Sequence, residues 1–187
     1  MMNKKMPLYS VPTSSELNYT WSTLHRVPRR TEIPLTIKPW LSETGSLTTK
    51  LQNLGELTVE VLFDNWSKAS TEEQMKLCLH PRERVHVRKV ILSLNGTPVI
   101  YARSIIPSTS LKGHWRHLTK LGTQPLGRFL YKSNKVSRGK IEIAQLPTTF
   151  FPNINQPLWA RRSIFYQYGH GILVSEAFSP TITSFLK

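Results

Sequence analysis

The chain has 187 residues, with 25 Lys and Arg against 11 Asp and Glu and a formal net charge of +14. That length suits one sizeable domain with its own core and is short for two. No apolar run approaches the roughly 20 residues that cross a bilayer, no apolar segment follows the basic start as a secretory leader requires, and a single cysteine, Cys78, excludes an internal disulfide framework. A single-domain cytoplasmic protein is the expectation. The apolar fraction of 39% and the 13 prolines point to a loop-rich α+β class.

Residues 1–30 are polar, with scattered aromatics and prolines, and are expected to form a poorly ordered or draped arm ahead of a domain over 31–187. In "SETGSLTTKLQNLG", a serine cap and Leu47, Leu51 and Leu54 at helical spacing predict a helix closed by Gly55. "ELTVEVLFDNW" alternates as a strand does. "STEEQMKLCLHP" carries a Ser/Thr start, acids in its first turn and a proline past its end, which predicts a short helix. Cys78 within it reads as a small buried hydrophobe. "PSTSLKGHWRHLTKLG" predicts another helix, less regular because of Gly113. "QPLGRFLYKS" predicts a helical turn with Pro125 near its start.

Two hairpins carry most of the functional information. In "VHVRKVILSLNGTPVIYARSII", Asn95-Gly96 predicts a two-residue turn. That register sets Leu94 opposite Thr97, Leu92 opposite Val99, Val90 opposite Tyr101 and Arg88 opposite Arg103, all on one face. Two opposed guanidinium groups repel and cannot shed their charge. Either an anion lies between them, or each snorkels to solvent or finds its own carboxylate. The second hairpin, "ARRSIFYQYGHGILVSEAFSP", is expected to set Gln167 opposite Ile172 and Ser163 opposite Glu176. Glu176 then shares a face with Ile172, Val174, Phe165 and Phe178. It is either a carboxylate buried for a purpose, as base or hydrogen-bond partner, or the partner of Arg161 in an ion pair.

Other chemistries lack support. The loop "LGTQPLGRFLYKS" looks built to hold an anion, yet the chain has neither G-x-x-x-x-G-K-[ST] nor G-x-G-x-x-G. There is no G-x-S-x-G elbow. His114 and His117 have ligand-like spacing without an acidic or cysteine partner nearby, so no metal is expected. The basic residues follow no nucleic-acid-binding motif, so no specific nucleic-acid partner is expected.

Four blocks, in order, resemble the chorismate pyruvate-lyase family. They are "VRKVILSLNGTPVIYARSIIP", "KLGTQPLGRFLY" with "IEIA" after it, "LWARRS" and "LVSEAFSP", with a weaker earlier block, "WLSETGSLTTKLQ". The resemblance spans about Trp40 to Pro180. It implies an α+β fold in which helices cover one side of an antiparallel sheet and helical flaps enclose a ligand pocket. It also implies a monomeric cytoplasmic enzyme, needing no metal or cofactor, that converts chorismate to 4-hydroxybenzoate and pyruvate for ubiquinone synthesis. Carried over by position, Arg88 grips the ring carboxylate and Glu176 meets the ring hydroxyl. Leu126 contributes a backbone N–H to the carboxylate, and Leu47 stands where the family often has methionine. Arg103, by its expected place beside Arg88, is added as a second anchor for the dianion. The same fold family includes small-ligand-sensing domains of transcription regulators, which is the alternative reading. A DNA-binding module, their usual companion, is not expected from the polar segment ahead of the matched region. The charge of +14 exceeds what such a pocket needs; steering of the dianion and a weak attraction to anionic membrane are the two readings it allows.

Overall fold

The computed structural model describes residues 20–27, 32–112, 115–146 and 156–185. Its strands are β1 (Ser22–Thr23), β2 (Leu57–Ser67), β3 (Val85–Leu94), β4 (Thr97–Pro107), β5 (Ser137–Arg138), β6 (Glu142–Leu146), β7 (Leu158–Gln167) and β8 (His170–Phe178). They form one antiparallel sheet in the order β1-β6-β7-β8-β4-β3-β2, with β5 pairing to β7 as well. The fold is the expected single α+β domain. Of the N-terminal arm, residues 22 and 23 join the sheet opposite Ile143 and Glu142; positions 1–19 lie outside the described residues.

The helices are short, and two of them begin at side-chain caps. Pro39 sits in the first turn of α1 (Lys38–Leu41). Ser46 caps α2 (Leu47–Gln52), its hydroxyl accepting the Thr49 N–H at 3.2 Å. Ser70 and Glu73 form a reciprocal capping box at the start of α3 (Thr71–Leu77). Cys78 follows α3 in the left-handed conformation, φ 53°, and is exposed. This corrects the expectation of a buried thiol: as the helix C-cap, the residue turns away from the sheet. The single helix expected over "PSTSLKGHWRHLTKLG" is two pieces, α4 (Ser108–Leu111) and a 3-10 turn over Arg116–Lys120. Gly113 and His114, between them, lie outside the described residues. The turn after Pro125 is α5 (Gly127–Leu130).

Trp40, Leu41, Leu47 and Leu51 of α1 and α2 pack on Leu92, Ile100 and Phe178 of the sheet. Trp40, Leu41 and Leu51 have no exposed surface, and each contributes about 1.5–3 kcal/mol by burial. Leu111, Leu118, Leu121 and Leu130 cover Phe165, Ile172 and Val174 further along the same face. α3 lies on the opposite face, where Leu77 and Leu79 pack with Val87, Ile105 and Leu173.

Both hairpins close with two residues at positive φ, Asn95-Gly96 at 48° and 78° and Tyr168-Gly169 at 51° and 80°. The expected first register holds only next to the turn. Leu94 faces Thr97 and Ser93 faces Pro98, but Leu92 then faces Ile100, and the shift persists to the end. Pro98 has no N–H to give the ladder, and a bulge follows it. Arg88 therefore faces Ser104, while Arg103 faces Lys89 on the other side of the sheet. The second register is also corrected. Because the turn is Tyr168-Gly169 alone, Phe165 faces Ile172 and Arg161 faces Glu176. An offset of two residues leaves the faces as expected.

Candidate active site

Successive rows across one face of the sheet build the site. Asp64, Arg88, Ser104, Val174 and Ser163 form one row from β2 to β7. Val90, Ala102, Glu176 and Arg161 form the next. A second bulge, between Val61 and Phe63 of β2, brings Asp64 opposite Arg88. Small side chains at Ala102 and Ser104, between the longer ones of β3 and β8, leave the space that becomes a cavity. Leu47 and Thr48 of α2 wall it, and Leu126, Gly127, Leu130 and Tyr131 roof it. The roof sits close: a Cβ on Gly127 would fall 2.3 Å from Thr48 Oγ1.

Arg88, 2% exposed, stands at one end. Its Nη1 donates to Asp64 Oδ2, and its Nη2 donates to the carbonyls of Gly122 at 2.7 Å and Gln124 at 3.2 Å. The loop "LGTQPLG" is thus tied to the residue expected to grip the ligand. Arg161 and Glu176 stand at the other end, joined by Nε to Oε2 at 2.7 Å. Arg161 Nη1 also donates to the carbonyls of Trp40 at 2.9 Å and Glu43 at 2.6 Å. Arg161 is 1% exposed, yet it lines the cavity. The ion-pair alternative for Glu176 is the one present, with Glu176 still facing the cavity.

Behind this pair, Arg138 of β5 donates to Ser163 Oγ at 2.9 Å and to Tyr131 Oη at 3.2 Å. Burial pushes the Arg138 guanidinium below its ordinary value, and Arg161 adds to the push. Burial raises the Tyr131 phenol above its ordinary value, so it stays neutral and donates to the Thr44 carbonyl. The arrangement sets three arginines, Arg88, Arg138 and Arg161, against two carboxylates, Asp64 and Glu176, at an enclosed space, a positive balance that suits an anion.

Leu47, Leu126, Arg88 and Glu176 therefore meet at one cavity. Arg103 does not. On the opposite face, its Nε and Nη2 donate to the Glu73 carboxylate of α3 at 2.8 and 3.0 Å. Its expected place as a second anion anchor rested on the unbulged register and is corrected. Of the two histidines weighed as ligands, His117 packs its ring on Phe129. His114 lies outside the described residues.

The family model described as chorismate lyase matches residues 18–186. The chain belongs to that family. Among curated relatives, "Probable chorismate pyruvate-lyase" of Halorhodospira halophila is 38% identical over 149 residues, covering 75% of this chain and 79% of the relative. The protein of the same name from Azoarcus sp. is 32% identical over 175 residues, covering 86% and 92%. The fold also occurs in a GntR-family transcriptional regulator from Bacillus cereus, with a TM-score of 0.52 at 12% identity over 68% of this chain and 94% of that one. The effector domain of PhnF from Mycobacterium smegmatis gives 0.50 at 12% identity over 74% and 91%. At that identity the likeness concerns the fold alone.

Sequence reasoning missed several residues at and around this cavity. Asp64, Tyr131 and Arg138 had not been singled out. Arg161 was weighed only as a partner for Glu176. The signal for Arg161 was present: consecutive arginines inside an apolar strand must point to opposite faces. Arg161 serves the cavity, and Arg162 bonds Glu142 at 2.8 Å and Glu72 at 2.6 Å on the other side.

Proposed function

We propose that this protein eliminates pyruvate from chorismate to give 4-hydroxybenzoate, the first committed step toward ubiquinone, in the cytoplasm and as a monomer. The observation that carries the reading is the pairing of Arg88 with Glu176 and Arg161 across one small-residue floor. β3 and β8 are two strand spacings apart, roughly 10 Å, the length scale of a ring carrying a carboxylate at one end and a hydroxyl at the other.

Arg88 takes the ring carboxylate, with the Leu126 N–H and the backbone near Leu47 completing the cradle. Glu176 accepts the hydrogen bond of the ring hydroxyl at the far end. The enolpyruvyl ether is on the ring carbon beside that hydroxyl, so its carboxylate arrives next to Arg161. Arg161, and not Arg103, is the second cation for the dianion. Among the described residues, Arg161 holds Glu176 through Nε and two backbone carbonyls through Nη1, which leaves the Nη2 side for the ligand.

In the reaction the ether C–O bond on the ring carbon breaks, and the neighbouring hydroxyl-bearing carbon loses its hydrogen. The ring becomes aromatic, which supplies the driving force. The proton goes either to Glu176, in which case the released enolpyruvate takes a proton from water to become pyruvate, or directly to the enolpyruvyl methylene, which becomes the pyruvate methyl. The internal route asks the protein mainly to hold the substrate folded and to stabilise charge. Under it, Glu176 orients the hydroxyl and Arg161 keeps Glu176 in place.

The deciding experiment incubates purified protein with chorismate in the absence of added metal and follows both products. Equal release of 4-hydroxybenzoate and pyruvate, above spontaneous decay, is expected. Tight 4-hydroxybenzoate binding without turnover would favour the sensing role that the fold also serves elsewhere. Glu176→Gln separates the two proton routes: a base role lowers the rate by roughly 10²-fold or more, whereas turnover close to the parent assigns the proton to the substrate.

A further inference from the structure

From Arg84 to Ile141 the chain runs 58 residues without an Asp or Glu, and carries 12 Lys and Arg. Arg88 and Arg103 are paired with Asp64 and Glu73, and Arg138 is held at the site. Lys112, Arg116, Lys120, Arg128, Lys132 and Lys135 are all exposed, and none pairs with a carboxylate among the described residues. These six lie at the end of α4, on the 3-10 turn, on α5 and in the segment leading to β5, a layer on one face of the sheet whose α5 part roofs the cavity. Contacts within the layer hold it together over the β7–β8 hairpin. Ser110 Oγ donates to the Gly171 carbonyl at 2.9 Å, and Trp115 Nε1 to that of His170 at 2.9 Å. His117 packs on Phe129 with ring centroids 5.5 Å apart.

Two exposed aromatic rings sit among these cations. Tyr168 at the hairpin turn is 56% exposed and has Lys135 Nζ 5.8 Å from its centroid. Tyr131, after α5, is 37% exposed. Among the described residues the exposed acids are Glu32, Glu56 and Glu60, none of them in this layer, and Glu83 meets it only at the start of α4, where its carboxylate accepts from Ser108 and Thr109. The layer is therefore predominantly cationic: it carries six cations without a carboxylate partner among the described residues and two exposed tyrosines, with Glu83 at its edge.

We propose that this roof face docks on an anionic bilayer surface. Clustered Lys and Arg near such a surface each contribute a factor of about five in partitioning, corresponding to about 1 kcal/mol, and exposed Tyr is suited to the headgroup level. A bilayer fits better than a nucleic acid, because the cations are spread over several short elements instead of lining one strand-sized groove with stacking rings. The placement sets the cavity roof toward the lipid.

The test is co-sedimentation with vesicles of phosphatidylcholine alone and of phosphatidylcholine mixed with phosphatidylglycerol. A variant with Lys112→Glu, Lys132→Glu and Lys135→Glu is compared with one carrying Lys38→Glu, Lys68→Glu and Arg82→Glu, which has the same net charge altered elsewhere. The parent is expected to bind only the anionic vesicles, less so as salt rises. The roof variant should lose about 100-fold or more, three residues at about fivefold each, and the control variant less than about fivefold. Circular dichroism and thermal melting verify that both variants fold. Equal losses from the two variants overturn the proposal, since net charge alone would then explain binding. It is equally overturned if anionic vesicles are not bound at low salt, or if a single-stranded oligonucleotide binds the roof face in their place.

Discussion

Replacing Arg103 with methionine, beside Arg88→Met, tests where the bulge after Pro98 puts the two arginines. Arg103 and Glu73 are 4% and 3% exposed and joined by two hydrogen bonds on the face away from the cavity. Removing one partner of such a pair leaves a buried, uncompensated charge and costs about 3–5 kcal/mol. At roughly 2–4 °C per kcal/mol for a chain of this size, the melting temperature falls by about 6–20 °C. Product affinity, measured by equilibrium dialysis of 4-hydroxybenzoate below the melting transition, should stay within about threefold, since no site contact is touched. Adding Glu73→Gln removes the stranded charge and keeps an oxygen for the Ser70 N–H, so it should recover a good part of the loss. Arg88→Met is told apart by binding: a charge-assisted contact of about 1.5–3 kcal/mol to the ligand is lost, lowering affinity by at least tenfold, while the melting temperature falls as well because Asp64 and two loop carbonyls lose their partner. If Arg103→Met melts like the parent and binds product poorly, the bulged register is wrong.

Gly127→Ala should unseat the roof. The new methyl would lie 2.3 Å from Thr48 Oγ1, and Thr48 is too buried to swing aside; overpacking of this kind costs about 1–3 kcal/mol. Weaker product binding and a lower melting temperature are expected, both relieved by Thr48→Ala, and a Gly127→Ala protein indistinguishable from the parent would refute the contact. His86 should make stability depend on pH. Burial lowers its pKa below the ordinary histidine value, against the pull of Asp64, whose Oδ1 is 3.6 Å from Nδ1, and Arg88 adds to the lowering. The unfolded chain then binds the extra proton first, so this stability is complete above about pH 6.5 and is lost as pH falls below it. Melting measured from about pH 7.5 to about pH 5.5 should decline more in the parent than in His86→Leu, and parallel curves would remove His86 from the account.

What could be read from the chain follows the range of the forces involved. The caps at Ser46 and Ser70 and the turn at Asn95-Gly96 act within a few residues, and each is found where its local chemistry puts it. Leu47, Leu126, Arg88 and Glu176 came together at one cavity because family resemblance carries long-range information that local pattern lacks. Register failed where one residue of slip moves every side chain to the other face. Pro98 was a visible warning in the first hairpin. The bulge at Leu62 that brings Asp64 to Arg88 has no such marker. The side on which α3 packs was equally hidden, since a seven-residue amphipathic helix carries no statement of which face of a sheet it will cover.

The hydrogen bonds of Arg88 constrain how the roof and the ligand share that residue. A guanidinium offers five N–H donors, and its two carboxylate-sized edges, Nη1 with Nη2 and Nε with Nη2, have Nη2 in common. Both loop carbonyls, of Gly122 and Gln124, are held by that shared nitrogen. A forked carboxylate on either edge must therefore displace a loop carbonyl and loosen the segment that closes the cavity. A carboxylate that places one oxygen on a remaining Arg88 donor and the other on the Leu126 N–H leaves both loop bonds intact. Under the proposed function, the second arrangement binds the ring carboxylate with the roof shut, while the first is the geometry of a ligand entering or leaving. Arg88 is then an anchor whose bonding pattern distinguishes the closed site from the open one. Asp64 holds its Nη1 side in place, so the exchange is confined to the side facing the loop.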